Sequence, residues 1–190
     1  MKKTLIIVGI IGVIALFFIG KYNGMVEADE NVNSAWSQVE NQYQRRLDLI
    51  PNLVSTVKGY AAHESSTLEA VVNARAKATS MQVNIEDAES LAKYQAAQGE
   101  LTQAMSRLLM VTENYPDLKA NEQFLALQSQ LEGTENRIST ERGRFNDIAK
   151  EYNKMIRIFP NNIVASLFGF KEKAYFKSDE GAEKAPQVQF

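Results

Sequence analysis

A single apolar stripe, read with alternating steps of three and four residues, runs through Tyr22, Met25, Val32, Trp36, Val39, Tyr43, Leu47, Ile50, Val54, Val57, Ala61, Leu68 and Val71 and ends at Arg75. That spacing keeps one helix face continuously apolar and is the seam of a coiled coil. The stripe emerges directly from the uncharged run Thr4 to Gly20. Helical, that run would span roughly 26 Å, slightly short of a ~30 Å hydrocarbon core unless Tyr22 and its neighbours share the interface. The expectation is an anchored rod of helices, whose stripe dictates partners more than chemistry.

A cleaved signal peptide is the rival for the first residues, since Lys2 and Lys3 precede the apolar run and Val26-Glu27-Ala28 resembles a cleavage site. The anchor is preferred because the heptad phase continues through that cut. Lys2 and Lys3 flank the run on one side, and Lys21, Glu27, Asp29 and Glu30 follow it. The positive-inside rule then puts the N-terminus in the cytoplasm and the body outside it.

No stretch of the body alternates with period two, so the fold class is all-α. The first helix is drawn to about Thr79, kinked at Pro51 and weak at Gly59. A second follows from about Glu86 to Glu113, and Asn114-Tyr115-Pro116-Asp117 makes a turn. The third runs from about Asp117 to Ile158 and ends at Pro160. The domains read as an anchor (1–21), a long antiparallel coiled-coil-like bundle (22–160), a short apolar unit (161–177) and a disordered polar tail (178–190).

Two arrangements of the bundle follow. With turns near residues 82–83 and 115–116, three helices leave overhangs at both ends. Val32, Trp36, Val39, Tyr43 and Leu47 are then uncovered below, and Ile148, Tyr152, Met155 and Phe159 above. Contiguous apolar patches of that extent ask for a second copy or another protein. The same register puts Arg75 within ion-pair distance of Glu141, with Arg142 and Ser90 near, and sets Gln98 between Glu64 and Thr134 or Glu135. In the alternative, a break near Gly59 makes four helices, and the last folds back over the Trp36 stripe.

Little in the sequence suggests catalysis. The 21 basic and 23 acidic residues are interleaved, so no nucleic-acid surface is expected. With no cysteine and one histidine, His63, a typical zinc set is not available. Phosphate-loop, dinucleotide and nucleophile-elbow motifs are missing, and no cofactor is expected. In the string Gln44 to Val54, Arg45 and Arg46 point about 100° apart on a helix; one can pair with Asp48, and the other is a candidate for an inter-subunit ion pair.

These same residues carry a resemblance. Tyr22-Asn23-Gly24-Met25-Val26, Trp36-Ser37-Gln38-Val39, Gln44 to Val54, Val57-Lys58-Gly59-Tyr60 and Ala74-Arg75 closely resemble the bacterial LemA family. So do Glu135-Asn136-Arg137-Ile138, Arg142, Phe145-Asn146, Tyr152-Asn153, Phe159-Pro160 and the ending from Phe168-Gly169-Phe170 to Tyr175-Phe176. The resemblance implies a single-pass protein of the bacterial inner membrane with a long antiparallel helical domain, and no catalytic mechanism. Family members have been described with the body on the cytoplasmic side, opposite to the orientation that charge gives here.

The functional expectation is a non-enzymatic membrane scaffold that self-assembles laterally into a homo-oligomer. Its contact residues would be Val32, Trp36, Val39, Tyr43, Arg45, Arg46, Tyr152, Phe159, Phe168, Phe170, Tyr175 and Phe176, with Arg75, Glu141, Gln98 and Glu135 as an internal polar layer. The alternative is an adaptor presenting substrate or signal to a separate membrane enzyme or receptor. A third reading has the Phe168-Gly169-Phe170 unit, flanked by Lys171 and Lys173, touching a bilayer or a peptide.

Overall fold

The computed structural model describes residues 1–177. Helix α1 (Lys2–Tyr60) is unbroken over 59 residues, so the apolar run and the stripe lie on one helix about 88 Å long at 1.5 Å per residue. Five further helices follow: α2 (Ser65–Ser80), α3 (Ala88–Val111), the single turn α4 (Pro116–Lys119), α5 (Glu122–Arg157) and α6 (Asn161–Phe168). Among the described residues there is no strand.

The first helix does not reach Thr79. It stops at Tyr60, and α2 turns back down alongside it. Gly59 before the break and Ser65-Ser66-Thr67 after it are weak helix-interior residues, and the apolar stripe has a gap between Ala61 and Leu68. Asp87 caps α3 by accepting from the Glu89 amide, and Asn121 caps α5 by accepting from the Phe124 amide, each at 2.9 Å. The third predicted helix is therefore two, divided at Ala120-Asn121.

With α2 folded down, α3 rises and α5 descends along α1 from the tip to the level of Met25. Arg46 stands opposite Glu135, and Trp36 packs on Phe145, ten residues lower on α1 and ten further along α5. The three-helix register and both of its overhangs are thus replaced by the four-helix alternative. The last helix has nowhere to project beyond the tip, because it starts at the tip and runs toward the anchor.

Pro51 sits within α1 and supplies no N–H to the carbonyl four residues before it, that of Leu47. Arg75 Nε on α2 donates to this Leu47 oxygen at 2.9 Å. Arg75 therefore does not pair with Glu141, whose nearest cation is Arg144 at 3.9 Å on its own helix. The hairpin at Ala61 brings Arg75 to α1 rather than to α5, and the orphaned carbonyl is what it meets there.

Candidate functional site

The described chain has two polar centres inside an otherwise apolar rod, and an apolar base beside the anchor. The upper centre is built around Arg46, one of the largest fully buried side chains. Its guanidinium donates to Thr102 Oγ1 at 2.9 Å, to Glu135 Oε1 at 2.5 Å, to the Gln98 carbonyl at 3.3 Å, and to Gln98 Oε1. It also lies over the Tyr43 ring, 5.3 Å from its centre. A planar fork suits several acceptors at once, which lets a buried cation on α1 be met by acceptors from α3 and α5 together. Removing Glu135 would leave the buried guanidinium without its counter-charge.

Gln98 and Glu135 do form a polar layer, but Arg46 joins them. Glu64, expected beside Gln98, instead accepts from the Tyr115 hydroxyl at 3.1 Å near the tip. Arg45 is exposed, and Asp48 accepts from Gln44 at 2.7 Å rather than pairing with either arginine. An open groove of about 880 Å³ runs beside this centre, between α3 and α5.

The lower centre joins three distant parts of the chain. After α6, Gly169 takes a left-handed conformation (φ 78°), and the Phe170 amide reaches back to the Ala165 carbonyl at 3.0 Å. Glycine takes that conformation at no steric cost and closes the helix. The chain then climbs α5 as an extended strap to Lys177. Lys173 is buried and pairs with Asp29 on α1 at 2.8 Å and with Glu86 in the loop before α3 at 2.9 Å. Burial lowers its pKa, but hydrogen bonds and charge from Asp29 and Glu86 outweigh that, and the net shift is upward. Burial, with Asp29 beside it, also pushes the Tyr152 phenol well above its usual range.

Two asparagines of α5 hold the strap's backbone. Asn153 Nδ2 donates to the Lys173 carbonyl and its Oδ1 accepts from the Lys173 amide, both at 2.8 Å. Asn146 makes the same pair of bonds with Phe176, both at 2.9 Å. Seven helical residues cover roughly 10 Å, and three extended residues cover about the same distance, so the two amides are spaced to match. Phe176 is thereby stacked on Trp36, with ring centres 5.8 Å apart and 20° between planes.

The expected contact residues thus divide. Val32, Trp36, Val39, Tyr43, Arg46, Tyr152 and Phe176 are buried under the chain's own α5, α3 and strap. They offer no surface to a second copy in this fold, because the folded-back helix supplies the apolar cover that a neighbour was expected to supply. Phe159, Phe168, Tyr175 and Arg45 are exposed, and Phe170 is half-buried against Tyr22. His63 lies exposed in the turn between α1 and α2. The tail from residue 178 lies outside the described residues.

The strap contacts were not foreseen. A signal existed in Asn146 and Asn153, two amides two turns apart on an otherwise apolar face, where unpaired side chains would be costly.

Comparison with known proteins finds that the sequence profile of the LemA family matches residues 35–190. The chain is similar to "Magnetosome protein MamQ 2" of Paramagnetospirillum magneticum, 26 % identical over 195 residues that cover 92 % of this chain and 72 % of that protein. It is also similar to "Protein LemA" of Metamycoplasma hominis, 24 % identical over 170 residues that cover 90 % of this chain and 75 % of that one.

Proposed function

The chain belongs to the LemA family, and from that premise we propose that it is a non-enzymatic, single-pass membrane adaptor: a rigid helical rod that presents a binding surface to a separate membrane protein at a fixed height above the bilayer. The observation that carries this reading is the continuity of α1. One helix runs from the apolar segment to the tip of the bundle without a linker. From Tyr22 to Tyr60 it rises roughly 57 Å, and the bundle is built around it. A tether that only localised a domain would need no such continuity, whereas a rod that sets distance and direction does.

The charge-based orientation is carried with the proposal, the N-terminus in the cytoplasm and the bundle outside. Because the chain has no cysteine, single cysteines at Lys3 and Ser129 in intact cells, treated with a membrane-impermeant maleimide, test it directly. Labelling at Ser129 alone fits the orientation; labelling at Lys3 alone reverses it.

Lateral self-assembly is the second reading, and one observation favours it. A groove of about 520 Å³ between α1 and α5 has an apolar floor of Ala28, Ala35, Ile148 and Met155 and a rim that includes Gln38, Arg144, Asp147 and Glu151, which a neighbouring amphipathic helix would suit. Light scattering coupled to size exclusion in mild detergent separates the two. A protein mass of one 21.3 kDa chain fits the adaptor. A defined oligomer that dissociates on Ala35→Trp fits the scaffold and sinks the adaptor as a monomeric rod.

A further inference from the structure

The base of the rod carries apolar surface that the bundle does not use. Val164 and Ala165 on the inner face of α6 are buried, and Phe18 of α1 packs against the same cluster. Phe168 and Phe170 lie 4.8 and 5.7 Å from the Tyr22 ring. Helix α6 is therefore level with residues 18–22. A ~30 Å hydrocarbon core takes about 20 helical residues; begun at Thr4, it ends near Asn23. The level of α6 is thus the last turn of the anchor within the bilayer and its headgroup boundary.

The outer face of this unit is apolar. Phe159 is 75 % exposed, Leu167 71 %, Phe168 54 % and Ile163 49 %. It continues the exposed apolar surface of the anchor, where Ile14, Phe17 and Ile19 are about half exposed. The exposed residues Lys154, Arg157, Asn162 and Lys171 flank it in the chain, and Arg157 meets Glu172 at 3.6 Å. An amphipathic helix bordered by amide and basic side chains is the pattern of a segment lying in a lipid interface.

We propose that α6 and the Phe159 turn form a second membrane contact, embedded in the lipid interface beside the anchor, so that the rod is held at two points. The occupant of the apolar face is lipid, because the face is continuous with the anchor's own lipid-facing surface and stands at the same level. One helix in a bilayer is free to tilt and rotate about its axis; a foot on one side removes both freedoms. The inference rests on the anchor reading of Thr4–Gly20, and its test separates the two.

The full chain, with single nitroxide-labelled cysteines at Val13, Phe159, Leu167 and Ser129, is reconstituted in vesicles of phosphatidylcholine and phosphatidylglycerol. Relaxation by oxygen, which partitions into lipid, is compared with relaxation by a water-soluble nickel chelate. Labels at Phe159 and Leu167 are expected to favour oxygen, as Val13 does, with Ser129 favouring nickel. Unchanged Trp36 emission in each variant reports that the base is folded, and the labelled side chains are exposed, so their replacement disturbs no packing. Nickel access at Phe159 and Leu167 with Val13 still lipid-like overturns the second contact and leaves the anchor. Nickel access at Val13 overturns both. Shielding of Leu167 from both reagents with dipolar broadening assigns the face to a second copy and overturns the lipid contact.

Discussion

The tip and the base of this rod are held together by different means. At the tip, α1, α2, α3 and α5 enclose a mainly aliphatic core of Leu47, Ile50, Leu53, Val57, Leu101, Leu108 and Leu131, with Phe124. At the base α1 and α5 run on past the lower end of α3, and the core is rich in rings: Trp36, Tyr43, Phe145, Tyr152 and Phe176, with Tyr94 from α3. Below α3 two long helices cannot enclose a core, so α6, the strap and the loop before α3 close the base. A helix satisfies its own backbone, and packing it needs only apolar faces. An extended strap does not, and α5 beneath it offers polar partners two turns apart, at Asn146 and Asn153. The tip's stability is therefore spread over many apolar contacts, while the base depends on a few specific ones.

The most severe test of that contrast removes the strap's partners. In the double variant Asn146→Leu, Asn153→Leu, two backbone amides and two carbonyls lose their partners. At about 1–3 kcal/mol for each unsatisfied buried group, the base should lose on the order of 5 kcal/mol. Hydrogen exchange should then show residues 171–177 and the lower parts of α1 and α5 unprotected, with the tip still protected. Equal loss in both halves would mean that the rod is one cooperative unit and the contrast is only descriptive.

Trp36→Ala comes next. Truncating a buried aromatic costs about 3–5 kcal/mol, and Trp36 contacts Tyr94, Phe145 and Phe176 at once. Chemical denaturation of Trp36→Ala beside Leu101→Ala should place the first loss in the base and the second in the tip. An unchanged denaturation midpoint for Trp36→Ala would contradict its place at the centre of the lower core.

Much of the fold was legible because period and punctuation report local physics directly. The stripe, the helical class, the turn near Pro116 and the end at Pro160 all follow from side-chain spacing and backbone preference. The pairing of helices was not, because it hangs on whether the chain turns at Ala61 or continues, and propensity near Gly59 favours neither outcome strongly. One error there moved Arg75 from α1 to α5 and left Trp36 uncovered. The strap was illegible for another reason: extended segments held by helix side chains leave no periodicity of their own. Of the candidate site, Gln98 and Glu135 are legible as a layer, whereas Arg46 reads as a partner of Asp48 or of a neighbouring subunit, because helix spacing alone does not say which of two adjacent arginines turns inward.

Pro51 and Arg75 offer a sharper probe of the tip, with a smaller effect. Arg75→Met removes the donor to the Leu47 carbonyl and should cost about 1–2 kcal/mol. In a Pro51→Ala background the helix supplies its own N–H to that carbonyl, and the same Arg75→Met should cost less. The coupling in this double-mutant cycle isolates the pair. Additive effects would show that Arg75 stabilises the tip by packing alone.

Alkali should produce a graded effect confined to the base. Tyr94 is raised from its ordinary 10.0 to about 12, chiefly by burial, with the Tyr43 phenol adding to the shift, and Lys173 is also raised, burial being outweighed by Asp29 and Glu86. Both groups therefore hold protons in the folded state that the unfolded chain has released. Their contribution is complete below their ordinary values and is lost as pH rises through the folded ones, for Tyr94 between about 10 and 12. Trp36 emission, which reports the base, should shift across that window while far-ultraviolet circular dichroism of the helices persists. Tyr94→Phe has no proton to lose and should flatten the part of the decline that Tyr94 contributes, leaving the parts due to Lys173 and Tyr152. Coincident loss of both signals would show that the strap is not the weaker half at high pH, and would return the difference between tip and base to a matter of composition.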